Sequence, residues 1–239
     1  MRLLVSVRDA GEAAVAAAAG ADVIDAKDPA RGVLGAVSPA VLDGIVRAVA
    51  RPQMVSAALG DLNADAPDVL VAARAVARAG AAVAKVGISG ENVCQSVPVC
   101  ASIVETLSSE AHRDAGCALV LGAYADAVGG PRYRYAVVEA ASACRAAGVL
   151  LDTRYKNGRS LFDMLAPVDV SAWVAAAHSA GLFAALAGSL DAGHLSMACD
   201  TGADLIGVRA AACAGGRSGC VTFERVRAIV SALRDESLA

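Results

Sequence analysis

Ala19-Gly-Ala-Asp-Val-Ile-Asp-Ala-Lys-Asp-Pro29 sets the pattern for the whole chain. An alanine-rich helical stretch stops at Gly20, the apolar run 22–26 reads as a strand, and Lys27 stands where that strand ends. The same phrase returns as Ala-Gly-Ala-Ala82, Ala-Gly-Val149, Ala-Gly-Leu182 and Thr-Gly-Ala-Asp204, each with glycine at an expected helix stop before an apolar run. This is repetition of a βα unit.

Extending the pattern outward gives strands at about 3–7, 22–26, 53–58, 82–86, 118–123, 149–153, 183–187 and 205–208. Helices are expected at about 10–19, 40–50, 67–78, 92–110, 135–147, 170–180, 192–201 and 223–234. Ser38 and Pro39 stand in N-cap and first-turn order before the second helix. Gly60 and Asp61 are placed in the loop after strand three, and Pro98 makes the fourth helix irregular. Eight such pairs in 239 residues point to a single-domain (β/α)8 TIM barrel spanning 1–239, with no linker. The absence of a Gly-x-Gly-x-x-Gly turn after the first strand argues against a two-domain Rossmann arrangement.

Composition excludes several classes of function. A hydrophobic fraction of 56% and a mean hydropathy of +0.54 would suit a membrane, but the excess is mostly alanine. No apolar run approaches the roughly 20 residues a spanning helix needs. The opening Met-Arg-Leu-Leu-Val-Ser-Val-Arg-Asp reads as a strand, so no signal peptide, no membrane partner and a cytoplasmic location are expected. A net charge of -3 without a basic block, and 3% aromatic residues, argue against nucleic acid. The seven cysteines form no Cys-x-x-Cys pair, and His112, His178 and His194 are far apart, so neither a disulfide framework nor a metal site is expected.

Lysine usage is the strongest chemical signal. Only Lys27, Lys85 and Lys156 are lysines among the 21 basic residues, and each closes or follows a strand-like run. A chain that takes its solvated charge from arginine keeps lysine for what arginine cannot do, which is to lose a proton and act as nucleophile or base. In a (β/α)8 barrel the site lies at the C-terminal strand ends. That rule gathers Asp25, Lys27, Ser56, Lys85, Asp126, Asp152 and Lys156. Lys27 and Lys85, on alternate strands, can face one another and depress an amine pKa. Asp25 and Asp152 suit either structural ion pairing or proton transfer, and Lys156 suits either catalysis or contact with a substrate phosphate.

A second group stands at the ends of strands seven and eight, in Ala187-Gly-Ser-Leu190 and Gly207-Val-Arg-Ala-Ala-Ala212. Backbone amides at Gly188, Ser189 and Ala210 suit the phosphate site common in these barrels, with Arg209 adding a charge-assisted contact. Arg217 suits either the same phosphate or solvent.

These phrases together resemble a known family. Ile24-Asp-Ala-Lys-Asp-Pro29, Val55-Ser-Ala, Ala84-Lys-Val-Gly87, Gly122-Ala-Tyr-Ala-Asp126, Asp152-Thr with Lys156-Asn-Gly, Leu161-Phe-Asp163, Ala185-Leu-Ala-Gly-Ser189 and Gly207-Val-Arg-Ala-Ala-Ala-Cys213 are similar to the (5-formylfuran-3-yl)methyl phosphate synthases. The resemblance spans nearly the whole chain. It departs in Asp28-Pro-Ala-Arg31 and in the 128–134 loop, which bear on substrate access rather than chemistry.

The resemblance implies a (β/α)8 lyase of methanofuran biosynthesis that joins two glyceraldehyde 3-phosphate molecules into a furan aldehyde phosphate, with loss of phosphate and water. It implies Lys27 as the Schiff-base lysine, Lys85 as proton acceptor, matching positions for Asp25, Asp152 and Lys156, and no cofactor. The competing expectations are a class I aldolase acting on a triose phosphate and a non-catalytic phosphate-binding barrel. The alanine-rich helix faces fit a homo-oligomer and packing within one barrel equally.

Overall fold

Each short apolar run becomes a strand buried on both faces, as expected where parallel strands are covered outside by helices and inside by one another. In the computed structural model, which describes residues 1–62, 67–90, 93–111 and 116–236, eight parallel strands close into a barrel in chain order. They are β1 (Arg2–Val7), β2 (Val23–Ala26), β3 (Met54–Leu62), β4 (Val83–Ile88), β5 (Ala118–Tyr124), β6 (Gly148–Asp152), β7 (Phe183–Leu186) and β8 (Leu205–Val208). β8 pairs back on β1 through Leu4 with Gly207 and Val5 with Val208.

The outer layer is α1 (Ala10–Ala18), α2 (Pro39–Ala48), α3 (Pro67–Ala79), α4 (Val97–Glu110), α5 (Gly130–Ala143), α6 (Pro167–Ser179), α7 (Leu195–Asp200) and α8 (Phe223–Glu236). This is the expected single-domain (β/α)8 barrel. No helix among the described residues is long and apolar enough to cross a membrane. His112, and Asn92 at the expected start of the fourth helix, lie outside the described residues.

Local signals set most boundaries. Ser38 accepts the Val41 N–H at 3.4 Å, with Pro39 opening α2. Pro98 does not disrupt α4: it sits in the first turn, where a missing N–H costs nothing, after a 3-10 turn at Val93–Ser96. Gly20, Gly80, Gly181 and Gly202 take the left-handed conformation expected of helix stops. Gly148 does not. It is the first residue of β6, and Arg145, with φ of 60°, makes the left-handed turn in its place. Glycine is required at 148 for space, because a Cβ there would lie 2.7 Å from the Phe183 ring.

β3 also runs further than expected. Gly60 and Asp61 belong to the strand, which resumes after a register break so that Asp61 pairs with Gly87 and Leu62 with Ile88. The buried Tyr124 hydroxyl donates to the Asp61 carboxylate across Gly87, where any side chain would collide with both groups.

The barrel interior is not filled. Inward positions that in such folds carry bulky branched side chains are here Ser6, Ser56, Ala185 and Gly207. They leave a cavity of about 610 Å³, walled by the three lysines at the C-terminal strand ends and reaching Arg2, Met54 and Phe183 at the opposite ends.

Candidate active site

Asp25 is the hub of the cavity and is fully buried. Strand pairing sets Ser6, Asp25 and Ser56 side by side across β1, β2 and β3. Asp25 Oδ2 accepts the Ser6 hydroxyl at 2.9 Å, and Oδ1 accepts the Ser56 hydroxyl at 2.8 Å. Lys85, from β4, brings its Nζ within 2.5 Å of the same Oδ1. Burial alone would raise the Asp25 carboxyl, but Lys85 and Lys27 together with these hydrogen bonds outweigh it and hold the group below the usual carboxylate range.

Lys156 and Asp152 form the second ion pair. Asp152 ends β6, and its Oδ1 accepts the Thr153 N–H at 2.7 Å and Lys156 Nζ at 2.6 Å. Lys156 also donates to Thr153 Oγ1 at 3.0 Å. Burial works to raise Asp152 as well, and the nearby Lys156 and Lys27 charges reverse the direction.

Lys27 is different. It directly follows β2, its N–H donates to Val7 O at 3.0 Å, and its side chain turns into the cavity with only 7% of the residue exposed. Among the described residues its amine has neither an ion pair nor a hydrogen bond. Burial lowers its pKa to about 8; Asp25 and Asp152 oppose that shift, and Lys85 and Arg217 add to it. About one Lys27 in ten is therefore neutral at pH 7, against about one in three thousand for an ordinary lysine.

The rim at β7 and β8 offers amides. Gly188 has φ of 110° and no room for a side chain, since a Cβ would lie 2.8 Å from Thr153 Cγ2, and Ser189 follows at φ of 52°. Among the described residues the Gly188 and Ser189 N–H groups donate to no protein acceptor. Ala210 opens a 3-10 turn beside them on the cavity wall. This is backbone suited to an anion.

The side chain of Arg209 does not fit the direct phosphate contact expected of it. Its guanidinium is buried, and all five donors are occupied inside the protein. Nε donates to Arg217 O at 3.2 Å, NH1 to Ser6 O at 3.0 Å and Glu12 Oε2 at 2.5 Å, and NH2 to Glu12 Oε1 at 3.1 Å and Gly219 O at 2.8 Å. Arg209 is a strut between α1 and the loop after β8. Glu12, its partner, was not singled out from the sequence. The one available signal was an acid in the first turn of an otherwise alanine-rich helix.

Asp126 does not line the cavity. Its carboxylate accepts the Arg154 N–H at 2.6 Å and the Tyr155 N–H at 2.9 Å, which clamps the backbone just before Lys156. The Arg154 guanidinium sits 5.6 Å from the centre of the Tyr124 ring.

A lysine of lowered pKa in one cavity with two ion-paired lysines, and unpaired amides on the β7 and β8 rim, mark the candidate active site of a (β/α)8 barrel. Comparison with known proteins gives the family. A family model described as 4-HFC-P synthase matches residues 3–230, and the chain belongs to that family and is an enzyme. It is 38% identical over 223 residues to the (5-formylfuran-3-yl)methyl phosphate synthase of Methanocaldococcus jannaschii, covering 90% of this chain and 92% of that protein. It is 36% identical over 239 residues to the synthase of the same name from Methanopyrus kandleri, covering 97% and 98%.

Among solved structures the barrel resembles phosphoribosyl anthranilate isomerase from Thermus thermophilus, with a TM-score of 0.65, 15% identity and full coverage of both chains. It also resembles KGPDC from Streptococcus mutans, with a TM-score of 0.67, 13% identity and coverage of 98% and 97%. At these identities the likeness shows the fold alone.

Proposed function

We propose that this enzyme condenses two molecules of glyceraldehyde 3-phosphate into (5-formylfuran-3-yl)methyl phosphate, through a Schiff base on Lys27, as a step of methanofuran biosynthesis. One inorganic phosphate and two waters leave in the balance. The observation that carries the reading is the division of labour among three lysines: Lys85 and Lys156 are each held by a carboxylate, and Lys27 alone presents an unpaired amine to the cavity.

Lys27 attacks the carbonyl of one triose phosphate, and the imine acidifies the neighbouring carbon. Lys85 gives its proton to the hydroxyl that leaves as water when the imine forms and then, as a neutral amine, accepts the proton of that carbon, and Asp25, fixed by Ser6 and Ser56, stabilises the ammonium that results. The enamine adds to the aldehyde of the second triose, and loss of phosphate and water drives aromatisation. Asp152 holds Lys156 against the opposite side of the cavity, where it meets the charge of a departing oxygen. The unpaired amides of Gly188 and Ser189, with that of Ala210, hold one phosphate. The substrate is a diffusible sugar phosphate, and the reaction runs in the cytoplasm.

Borohydride reduction in the presence of glyceraldehyde 3-phosphate, followed by peptide mass spectrometry, tests this reading. The expected result is an adduct on Lys27, with furan absorbance and inorganic phosphate in the unreduced reaction. An adduct without furan would instead make the protein a class I aldolase, and no adduct on any lysine would remove the Schiff base.

A further inference from the structure

Arg217 stands on the loop between β8 and α8 and lines the same cavity as Lys27. Of the cations on the C-terminal wall, Lys85, Lys156 and Arg209 are each matched by a carboxylate within 2.6 Å. Arg217 is half-buried, yet among the described residues its guanidinium has no ion pair and no hydrogen bond. Burial depresses its pKa, and Asp152 is the opposing charge it feels, from beyond contact distance. A desolvated cation with open donors is costly to the protein alone and is relieved by an anion from outside.

The loop is built to hold that guanidinium in place. Residues Cys213–Ala214 and Cys220–Val221 pair as a short antiparallel ladder, and Gly215 and Gly216 turn the chain between them in the left-handed conformation. Gly219 packs directly against Ala214 O, where a Cβ could not fit. Arg209 then ties the loop down from inside by donating to the carbonyls of Arg217 and Gly219, and it is itself gripped at both oxygens by Glu12. One arginine thus anchors the backbone of another. The presented side chain keeps its planar fork of donors for a ligand.

We propose that Arg217 is the side-chain cation of a phosphate-binding subsite, taking a phosphate dianion through its guanidinium fork. The proposal rests on the reading that the cavity accepts phosphorylated substrates. Two sources share this chemistry: the esterified phosphate of a bound triose phosphate, and the inorganic phosphate that the reaction releases.

The test is calorimetric titration of the wild type, Arg217→Gln and Arg217→Lys with glycerol 3-phosphate and, separately, with inorganic phosphate. Charge-assisted hydrogen bonds of this kind correspond to a loss of about 10- to 100-fold in affinity for Arg217→Gln, with Arg217→Lys between it and the wild type. Weakening confined to glycerol 3-phosphate assigns Arg217 to the esterified phosphate. Weakening confined to inorganic phosphate assigns it to the released product, and weakening of both makes one subsite serve both. Wild-type affinity for both ligands in Arg217→Gln overturns the proposal. The reductive adduct on Lys27 should still form in Arg217→Gln at saturating triose phosphate; its absence from the wild type would sink the Schiff-base reading while leaving the titrations intact.

Discussion

Lys85 Nζ lies 2.5 Å from Asp25 Oδ1, and that contact decides which lysine of the barrel is left with an open amine. Asp25 feels the charges of both Lys85 and Lys27, but its two oxygens are already shared by Ser6, Ser56 and Lys85. Lys27 therefore feels the field of Asp25 without a hydrogen bond from it. The arrangement puts an open amine of lowered pKa in the same cavity as the Asp25–Lys85 pair, the separation of nucleophile from proton carrier that the proposed imine chemistry uses.

Lys27→Met should abolish turnover and the reductive adduct while making the protein more stable at pH 7. The folded pKa of about 8 is below the value of 10.5 for the free side chain, so burial of this ammonium costs stability at every pH below 8. That cost is relieved as pH rises from 8 to 10.5, because only the unfolded chain then binds the proton. Denaturant unfolding at pH 7 should show Lys27→Met ahead by roughly 1 to 3 kcal/mol, with the gap closing above about pH 10. The trapping rate of the wild type should rise with pH through about 8, as the amine loses its proton. A rate flat between pH 6 and 10 would contradict the assignment of the nucleophile.

Asp25→Asn should destabilise the fold as well as stop the reaction. It leaves the buried Lys85 ammonium without its counter-charge, a change that costs roughly 3 to 5 kcal/mol for a buried pair. Because the Asp25 carboxyl is held below its ordinary range, its stabilising contribution is complete above about pH 4 and is lost as pH falls through the lowered folded value. The double variant Asp25→Asn with Lys85→Met should recover much of the loss, since no charge is then stranded. Additive destabilisation in unfolding experiments at pH 7 would show that the two residues are not coupled.

The order of strands and helices was legible because each apolar run is short, buried on both faces and bounded by a helix stop. The position of Lys27 was legible for the same reason, as the residue directly after such a run. What could not be read is which charges meet. Glu12 and Arg209 are 197 residues apart, and their contact turns an expected phosphate ligand into a strut. Likewise, the open amine of Lys27 follows from strand register, which sets Ser6, Asp25 and Ser56 in a row and lets β4 deliver Lys85 to the same oxygen. Gly148 illustrates the local limit: it repeats the helix-stop phrase but is a strand residue pressed against Phe183, and Arg145 makes the turn.

Asp126 offers a test of positioning, since it reaches the site only through the loop it holds. Its two oxygens take the N–H groups of Arg154 and Tyr155, and the next residue is Lys156, whose amine is 2.6 Å from Asp152. Asp126→Ala frees that backbone segment without exposing core, so stability should fall by about 1 to 3 kcal/mol, the range for losing hydrogen bonds to a charged group, with the fold retained. Turnover should nevertheless fall by about 10-fold or more, as two charge-assisted hydrogen bonds that fix the approach of Lys156 are gone. In a Lys156→Ala background the same substitution should have almost no further effect on kcat, because the group it positions is absent. If the two losses instead multiply, Asp126 influences the reaction by a route other than Lys156, and the clamp is structural rather than directed at the amine.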